Sequence, residues 1–240
     1  MADTEAHHWW FAGRRRILAQ LINSLRLPAG AGILEVGCGT GGNLPMLSTF
    51  GKVSALEMDA TACTIARDNT GGQIDIRAGM FPGENAFAGE KFDLICLFDV
   101  LEHLEQDVAA LAAVKNLLAP GGKILLTVPA YQWLWSGHDV FLHHKRRYGV
   151  AELLNKIQIS GLYPEKMSHF NTFLFPLAVI VRLQGRIFGS SGASGASVPP
   201  AAINKLFKLV FSSERYLLPL FNLPFGVSLL ALLSAEQATT

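Results

Sequence analysis

The sequence predicts an α/β fold, a mostly parallel sheet with helices on both faces. Three observations carry that expectation. Strand-like and helix-like segments alternate from Ile33 to Ala130, the rhythm of repeated strand–helix units. The first apolar run, "ILEV" (33–36), is continuous, as a strand covered on both faces requires. It stops in "GCGTGG", a glycine turn that joins a buried strand to a helix.

The elements follow in order. Residues 5–26, "EAHHWWFAGRRRILAQLINSLR", read as one or two amphipathic helices, and residues 1–28 as a helical cap. After "ILEV" come "NLPMLSTF" as helix, "KVSALE" as strand, "ATACTIARDN" as helix and "QIDIRA" as strand. "FDLICLF" (92–98) is strand again. "LEQDVAALAAVKNLLA" is a strong helix, ended by Pro120, Gly121 and Gly122, and "KILLTVPA" is the next strand. Beyond Ala130 the rhythm breaks. A histidine-rich loop precedes a helix at "GVAELLNKIQISG" and a strand at "YPEKMSHF". "NTFLFPLAVIVRLQGRIFG" is apolar and helical, punctuated by Pro176, and residues 190–200 are a low-complexity, flexible stretch. "INKLFKLVFSSERYLLPLF" is helical and "GVSLLALLS" closes the chain. Tyr216 to Ala235 holds no charged residue. About 20 such residues suffice to cross a bilayer. Pro219, Asn222, Pro224 and Gly226 divide the run, however, so a turn and a buried strand are expected instead.

Composition narrows the function classes. Half of the 240 residues are hydrophobic and mean hydropathy is +0.30. Burial inside one domain (1–240) leaves apolar surface to account for, which calls for a lid, a homodimer face or a membrane surface. A net charge of +1 provides no global field for nucleic acid. Cys38, Cys63 and Cys96 lack CxxC spacing and read as reduced thiols. The N-terminus shows no basic segment followed by an apolar core, so a cytoplasmic protein is expected, with possible peripheral contact at the inner membrane face.

The glycine turn carries the most chemistry. Gly37, Gly39 and Gly41 let the backbone turn tightly and approach a ligand. Glu35, two residues before the first glycine, would repel a pyrophosphate and favour an ammonium group. Glu57 ends the next strand, where an acid suits ribose hydroxyls. At these residues the chain resembles the class I S-adenosylmethionine-dependent methyltransferases. "ILEVGCGTG" is similar to their first motif, "FDLICLFDVLEHL" (92–104) to their fourth-strand motif and "LLAPGGKILLTVP" to their fifth-strand approach.

The resemblance implies a Rossmann-like sheet of seven strands in the order 3-2-1-4-5-7-6, with strand 7 antiparallel. It makes 163–170 and 226–234 strands six and seven, and 171–224 an apolar helical insertion between them. S-adenosylmethionine is the implied cofactor and S-adenosylhomocysteine the product. Gly37, Cys38, Gly39, Thr40 and Gly41 would line its methionine part, with Glu35 orienting that loop or meeting the amino group through water. Glu57 and Met58 would hold the ribose side. Phe98, Asp99 and His103 would stand at the sulfonium side. An arginine of the N-terminal helix, Arg14, would reach the methionine carboxylate. The competing reading of that helix is an interfacial one, with Arg14, Arg15 and Arg16 on lipid headgroups. The family often carries Asp after the glycine that ends strand three. Here "RAGMFPG" puts Met80 there, so adenine recognition falls to the backbone near Gly79 and to apolar contact.

"HDVFLHHKRRYG" (138–149) follows strand five, at the edge where ligands bind in this fold class. Four readings compete. A metal site would draw on His138, Asp139, His143 and His144, but a hard ion wants more carboxylates than Asp139 alone, and no metal is assigned. An acid–base site would use His138 or His143 steered by Asp139, with His144 and Tyr148 in the same set. Lys145, Arg146 and Arg147 suit an anion grip. A solvated loop or helix cap is the plain alternative. Trp133 and Trp135 suggest an aromatic-lined acceptor pocket beside it.

The function expected is methyl transfer to a small, apolar or lipid-linked acceptor, on oxygen with histidine-assisted deprotonation. The alternatives are C-methylation of a quinone-like ring and a non-catalytic cofactor-binding module of a membrane complex. A nicotinamide dehydrogenase is disfavoured by "GCGTGG" and Glu35. Arg182, Arg186, Lys205 and Lys208 beside the apolar insertion support contact with a lipid-linked acceptor.

Overall fold

The computed structural model describes residues 5, 7–83, 86–187 and 198–237. Seven strands form one sheet in the order β3-β2-β1-β4-β5-β7-β6. They are β1 (Gly32–Val36), β2 (Lys52–Glu57), β3 (Asp75–Ala78), β4 (Phe92–Phe98), β5 (Leu118–Pro129), β6 (Tyr163–Phe170) and β7 (Ser228–Ser234). The first five pair in parallel, and β7 lies antiparallel between β5 and β6. This is the expected order, with "GVSLLALLS" as a buried strand rather than a membrane segment. Among the described residues no helix is long and apolar enough to cross a membrane.

Neighbouring residues of a strand point to opposite faces. Leu34, Ile95, Leu126 and Leu229 therefore enter one core, and Ile33, Leu94, Leu125 and Leu230 the other. The first core is closed by α4 (Asp107–Lys115) and α6 (Val150–Ile159). The second is closed by α1 (Trp9–Ser24), α2 (Leu44–Leu47), α3 (Ala60–Asn69) and α8 (Ala201–Ser213). The remaining helices are the short α5 (Gly137–Phe141) and α7 (Phe175–Ile187).

Two elements differ from expectation. The helix before strand five is shorter, ending at Lys115, and β5 begins at Leu118 so that Pro120–Gly122 lie inside the strand. Leu118 pairs with Phe92 before a register shift, which lets the bulging Pro-Gly-Gly sit in the strand's irregular start. Second, the histidine-rich segment contains α5. Ser136 caps it, and Asp139 reaches back to the Ser136 N–H in a capping box.

The insertion between β6 and β7 is divided in its loyalties. α8 docks on α1: Trp9 meets Phe207 and Phe211 edge-on, and the Trp9 N–H donates to Asn204 Oδ1 at 2.8 Å. Gly13 makes the approach possible, since a Cβ there would stand 2.5 Å from Phe211 Cδ1. Glu214, fully buried, accepts the N–H groups of Asn171, Thr172 and Phe173 and ties the insertion to the end of β6. Of the 189–200 stretch, residues 189–197 lie outside the described residues, as does the Arg186 side chain.

Candidate active site

The site gathers at the carboxyl ends of β1, β2, β4 and β5. The loop after β1 turns through Gly37 (φ 72°), Gly39 (φ 54°) and Gly41 (φ 84°). At Gly37 a side chain has no room, because its Cβ would lie 2.7 Å from Val100 Cγ2. The Gly37 N–H donates to the Leu56 carbonyl at 2.7 Å, which pins the loop to β2. Glu57 completes the cradle: its carboxylate accepts the Gly39 N–H at 2.7 Å and the Asp59 N–H at 2.9 Å. A carboxylate offers about four acceptor positions, so two remain for ribose hydroxyls.

Glu35 is buried beneath the loop. Asn43 donates to its Oε1 at 2.8 Å, while Oε2 has no partner. Burial pushes its carboxyl up to about 8, against the pull of Asn43 and Arg14. Cys38 is buried in the same region, and its thiol is pushed far up by burial and by Glu35 and Glu57. It lines the loop as an inert group. The Thr40 hydroxyl donates to Glu5 Oε2 at 2.5 Å, so the Glu5 side chain lies against the loop.

Arg14 is 4% exposed and pairs through Nη1 with Asp99 Oδ2, a residue 85 positions away. Its guanidinium stacks on Trp10, 4.4 Å from the ring centroid, and its Nε has no partner among the described residues. A buried cation with an unpaired donor, on a helix closed over the glycine loop, is what a ligand carboxylate requires. The interfacial-helix reading fails for Arg14, which is buried between Asp99 and Trp10 and does not reach the surface. Asp99 has φ 58° and also accepts from Thr127 Oγ1 at 3.2 Å. Phe98, by contrast, turns into the core with Phe170 and Phe211. Gly79 donates to the Glu57 carbonyl at 2.9 Å, flanked in sequence by an open apolar surface at Met80, which like Met58 is 68% exposed. These residues fit S-adenosylmethionine: a tight glycine turn, an acid with free acceptor positions, and an unpaired buried guanidinium donor.

The histidine segment folds against β4's end. Asp139 is fully buried. It accepts from Arg147 Nε at 2.7 Å, meets His144 Nδ1 at 3.1 Å and lies 3.3 Å from Arg182 Nη1 of α7. Burial alone would raise its carboxyl, but the hydrogen bonds from His144 and Arg147 hold it well below the usual range. His144 packs edge-on against His103, centroids 4.8 Å apart. Both His103 and His138 are pushed down to about 4, chiefly by burial, then by the neighbours His144 and Arg182 respectively. The His138 Nδ1 is buried without a partner.

Several expected roles change here. Tyr148 leaves the acid–base set. It is fully buried in the core, its hydroxyl 2.9 Å from Asp107 Oδ2 and 3.1 Å from the Leu101 carbonyl. The anion grip is already engaged, for Lys145 pairs with Glu105, Arg146 with Asp107 and Arg147 with Asp139. His143 is exposed at φ 57°, outside the buried group that His144 joins. The sequence reading missed Glu102 altogether. It is 0% exposed, neither carboxylate oxygen has a partner among the described residues, and burial and Asp99 push its carboxyl up. Its only sequence signal is a place in "DVLEH" one residue before His103.

Beside this group, Tyr131 stacks on His169 (5.2 Å between centroids) and touches Trp133 and Phe175, which in turn meets Phe225. An aromatic wall thus lies under α7. The open depression lined by Lys91, Lys115, Lys123 and Glu165 is at the other edge of the sheet, near the start of β5, away from every group named here.

Residues 10–173 match a family model described as a methyltransferase domain. A ubiquinone biosynthesis O-methyltransferase of Xanthomonas axonopodis pv. citri is 25% identical over 207 residues, covering 81% of each chain. Its counterpart from Actinobacillus pleuropneumoniae is 28% identical over 196 residues, 68% of this chain and 83% of that one. An S-adenosylmethionine-dependent methyltransferase from Clostridium acetobutylicum superposes with a TM-score of 0.62 at 12% identity, over 94% of this chain and 92% of that one.

Proposed function

This chain belongs to the methyltransferase-domain family and is an S-adenosylmethionine-dependent methyltransferase, and from that premise we propose that it methylates a hydroxyl oxygen of an apolar, quinol-like or lipid-linked acceptor. The observation that carries the reading is the aromatic wall of Tyr131, Trp133, His169 and Phe175 adjoining the His138–Asp139 segment. A flat, apolar ring suits such a wall. The relatives named as ubiquinone biosynthesis O-methyltransferases support the same acceptor chemistry.

The bound cofactor supplies a methyl group already activated on a sulfonium. The protein's work is to align an oxygen in line with the methyl–sulfur bond and to remove its proton. Glu57 would hold the ribose, Arg14 the carboxylate of the methionine part and the loop from Gly37 to Gly41 its backbone. His138 is the base in this reading. Its neutral form is secured by burial, and its unpaired Nδ1 is ready to take the hydroxyl proton. Asp139 sets the surrounding segment by holding Arg147, Arg182 and the α5 cap. The hydroxyl proton would pass to His138 Nδ1 while the acceptor oxygen takes the methyl that the cofactor would supply. The exposed apolar residues of α7 and α8, among them Ile180, Val181, Leu206 and Leu209, serve a lipid-linked acceptor at a membrane surface.

The test is incubation with methyl-labelled cofactor and a series of catechols bearing apolar tails. Label on oxygen is expected. Label on ring carbon would turn the reading to C-methylation. His138→Ala should lower kcat by about 10²–10⁴-fold, the usual share of a general base, while S-adenosylhomocysteine affinity stays unchanged.

A further inference from the structure

We propose that Glu102, His103 and His144 form a binding site for one divalent transition-metal ion placed to receive the acceptor's oxygen. One ligand atom from each of these residues lies within 4.8 Å of the other two. With metal–ligand bonds of about 2.0–2.2 Å, three ligands of one ion stand about 3–4 Å from one another, so the three would draw in by about 1 Å on binding. His144 Nε2 already stands 3.9 Å from Glu102 Oε1, too far for a hydrogen bond and well spaced for two ligands of one ion.

Two independent observations point to a ligand rather than to a packing accident. First, Glu102 is 0% exposed and, among the described residues, neither of its carboxylate oxygens has a hydrogen-bond partner. Native interiors leave few such groups, because an unsatisfied buried carboxyl is costly. A cation between it and the two imidazoles would satisfy both oxygens. Second, the histidines are held as metal ligands are held. His144 Nδ1 faces Asp139 Oδ1 at 3.1 Å, which leaves Nε2 to carry the lone pair toward Glu102. His103 holds the main chain of His143, and its second ring nitrogen remains. A carboxylate or carbonyl behind each imidazole fixes the tautomer and the ring plane.

A mixed set of two imidazoles and one carboxylate suits zinc, manganese, iron or cobalt in the divalent state better than magnesium or calcium, which prefer oxygen alone. Three protein ligands leave positions open, as in catalytic rather than structural sites. Asp99, next to Arg14 and an electrostatic neighbour of Glu102 and His103, links the cluster to the cofactor side. An acceptor hydroxyl on the ion would lose its proton more readily, and the weakly basic His138 could then accept it. This role for the ion rests on the proposed O-methylation. The binding site itself does not.

The test uses the full chain, stripped with a chelator and desalted, and titrated with cobalt(II) while its visible absorption is followed. One equivalent per chain is expected. Asp139→Asn, which loosens the hold on His144 Nδ1 and leaves the three ligands in place, should weaken cobalt binding by about 10–100-fold. Glu102→Gln and His144→Ala should abolish it, and His103→Ala gives the same reading should either of them not fold. No binding at millimolar cobalt, or binding that survives Glu102→Gln and His144→Ala, overturns the proposal. S-adenosylhomocysteine titration of the same protein separates the two readings. Cofactor binding without cobalt binding removes the metal site alone. Cobalt binding without label on any acceptor oxygen removes only the O-methylation reading.

Discussion

Gly39 and Asp59 each donate a main-chain N–H to Glu57, which makes its carboxylate a brace for the loop and, in the proposed reading, leaves acceptor positions for the ribose. Glu57→Ala should weaken S-adenosylhomocysteine binding by about 1.5–3 kcal/mol, the scale of hydrogen bonds to a charged group. Calorimetric titration checks this, and unchanged affinity would remove Glu57 from the site. Glu35 makes a different prediction, through pH. Its carboxyl rises from 4.5 to about 8 on folding, so the folded state holds a proton that the unfolded state has lost between those values. Stability therefore falls as pH rises from 4.5 to 8. Glu35→Gln removes that dependence, and its Tm should exceed the parent's at pH 8 by more than it does at pH 4. His103 and His138 act in the opposite sense. Both drop from 6.5 to about 4, so their contribution is full above 6.5 and is lost as pH falls toward 4. The two carboxylates near the glycines were legible because a strand end followed by a glycine turn fixes where their side chains lie. Glu102 was not, since nothing in "DVLEH" says which of its two acids is buried without a partner.

At the scale of elements, α1 packs over the second core and α8 docks on it. Phe211 is the joint: fully buried, stacked on Phe170 and meeting Trp9 edge-on. Phe211→Ala should cost about 3–5 kcal/mol by denaturant unfolding, the range for deleting a buried aromatic ring. It should also weaken cofactor binding, because Arg14 stands one residue beyond Gly13, the glycine that packs on Phe211. The insertion was read from the sequence as a lid, a dimer face or a membrane contact. The docking of α8 on α1 adds a use that sequence periodicity does not reveal, since a helix pattern gives a face but not its partner. Asp99, Tyr131 and Asn171, with φ near 60°, stand at or just beyond the ends of β4, β5 and β6. Such backbone is costly for side-chain-bearing residues and is retained where a site demands it.

For the whole molecule, a net charge of +1 and a broad exposed apolar surface on α7, α8 and the turn at Leu220 and Phe221 describe a protein suited to apolar company. Lys205, exposed on α8, adds a cation beside that surface. Co-flotation with anionic vesicles is expected, and Ile180→Glu together with Leu206→Glu should abolish it while cofactor affinity is unchanged. Failure of the parent chain to float would leave the apolar face to a second copy of the chain or to the acceptor alone.

By itself the sequence determined the strand order, the antiparallel last strand, the cofactor and the loop that would hold it. Those follow from local patterns, namely apolar runs, glycines that permit positive φ, and acids at strand ends, read through a resemblance that spans them. Only the tertiary structure decided which charges meet. Arg14 found Asp99 across 85 positions, Arg147 and Arg182 converged on Asp139, and Tyr148 turned inward to Asp107. Pairing of that kind depends on which faces of separate elements pack together. A one-dimensional pattern carries no such information, because burial is what makes an unpaired charge costly and selects its partner.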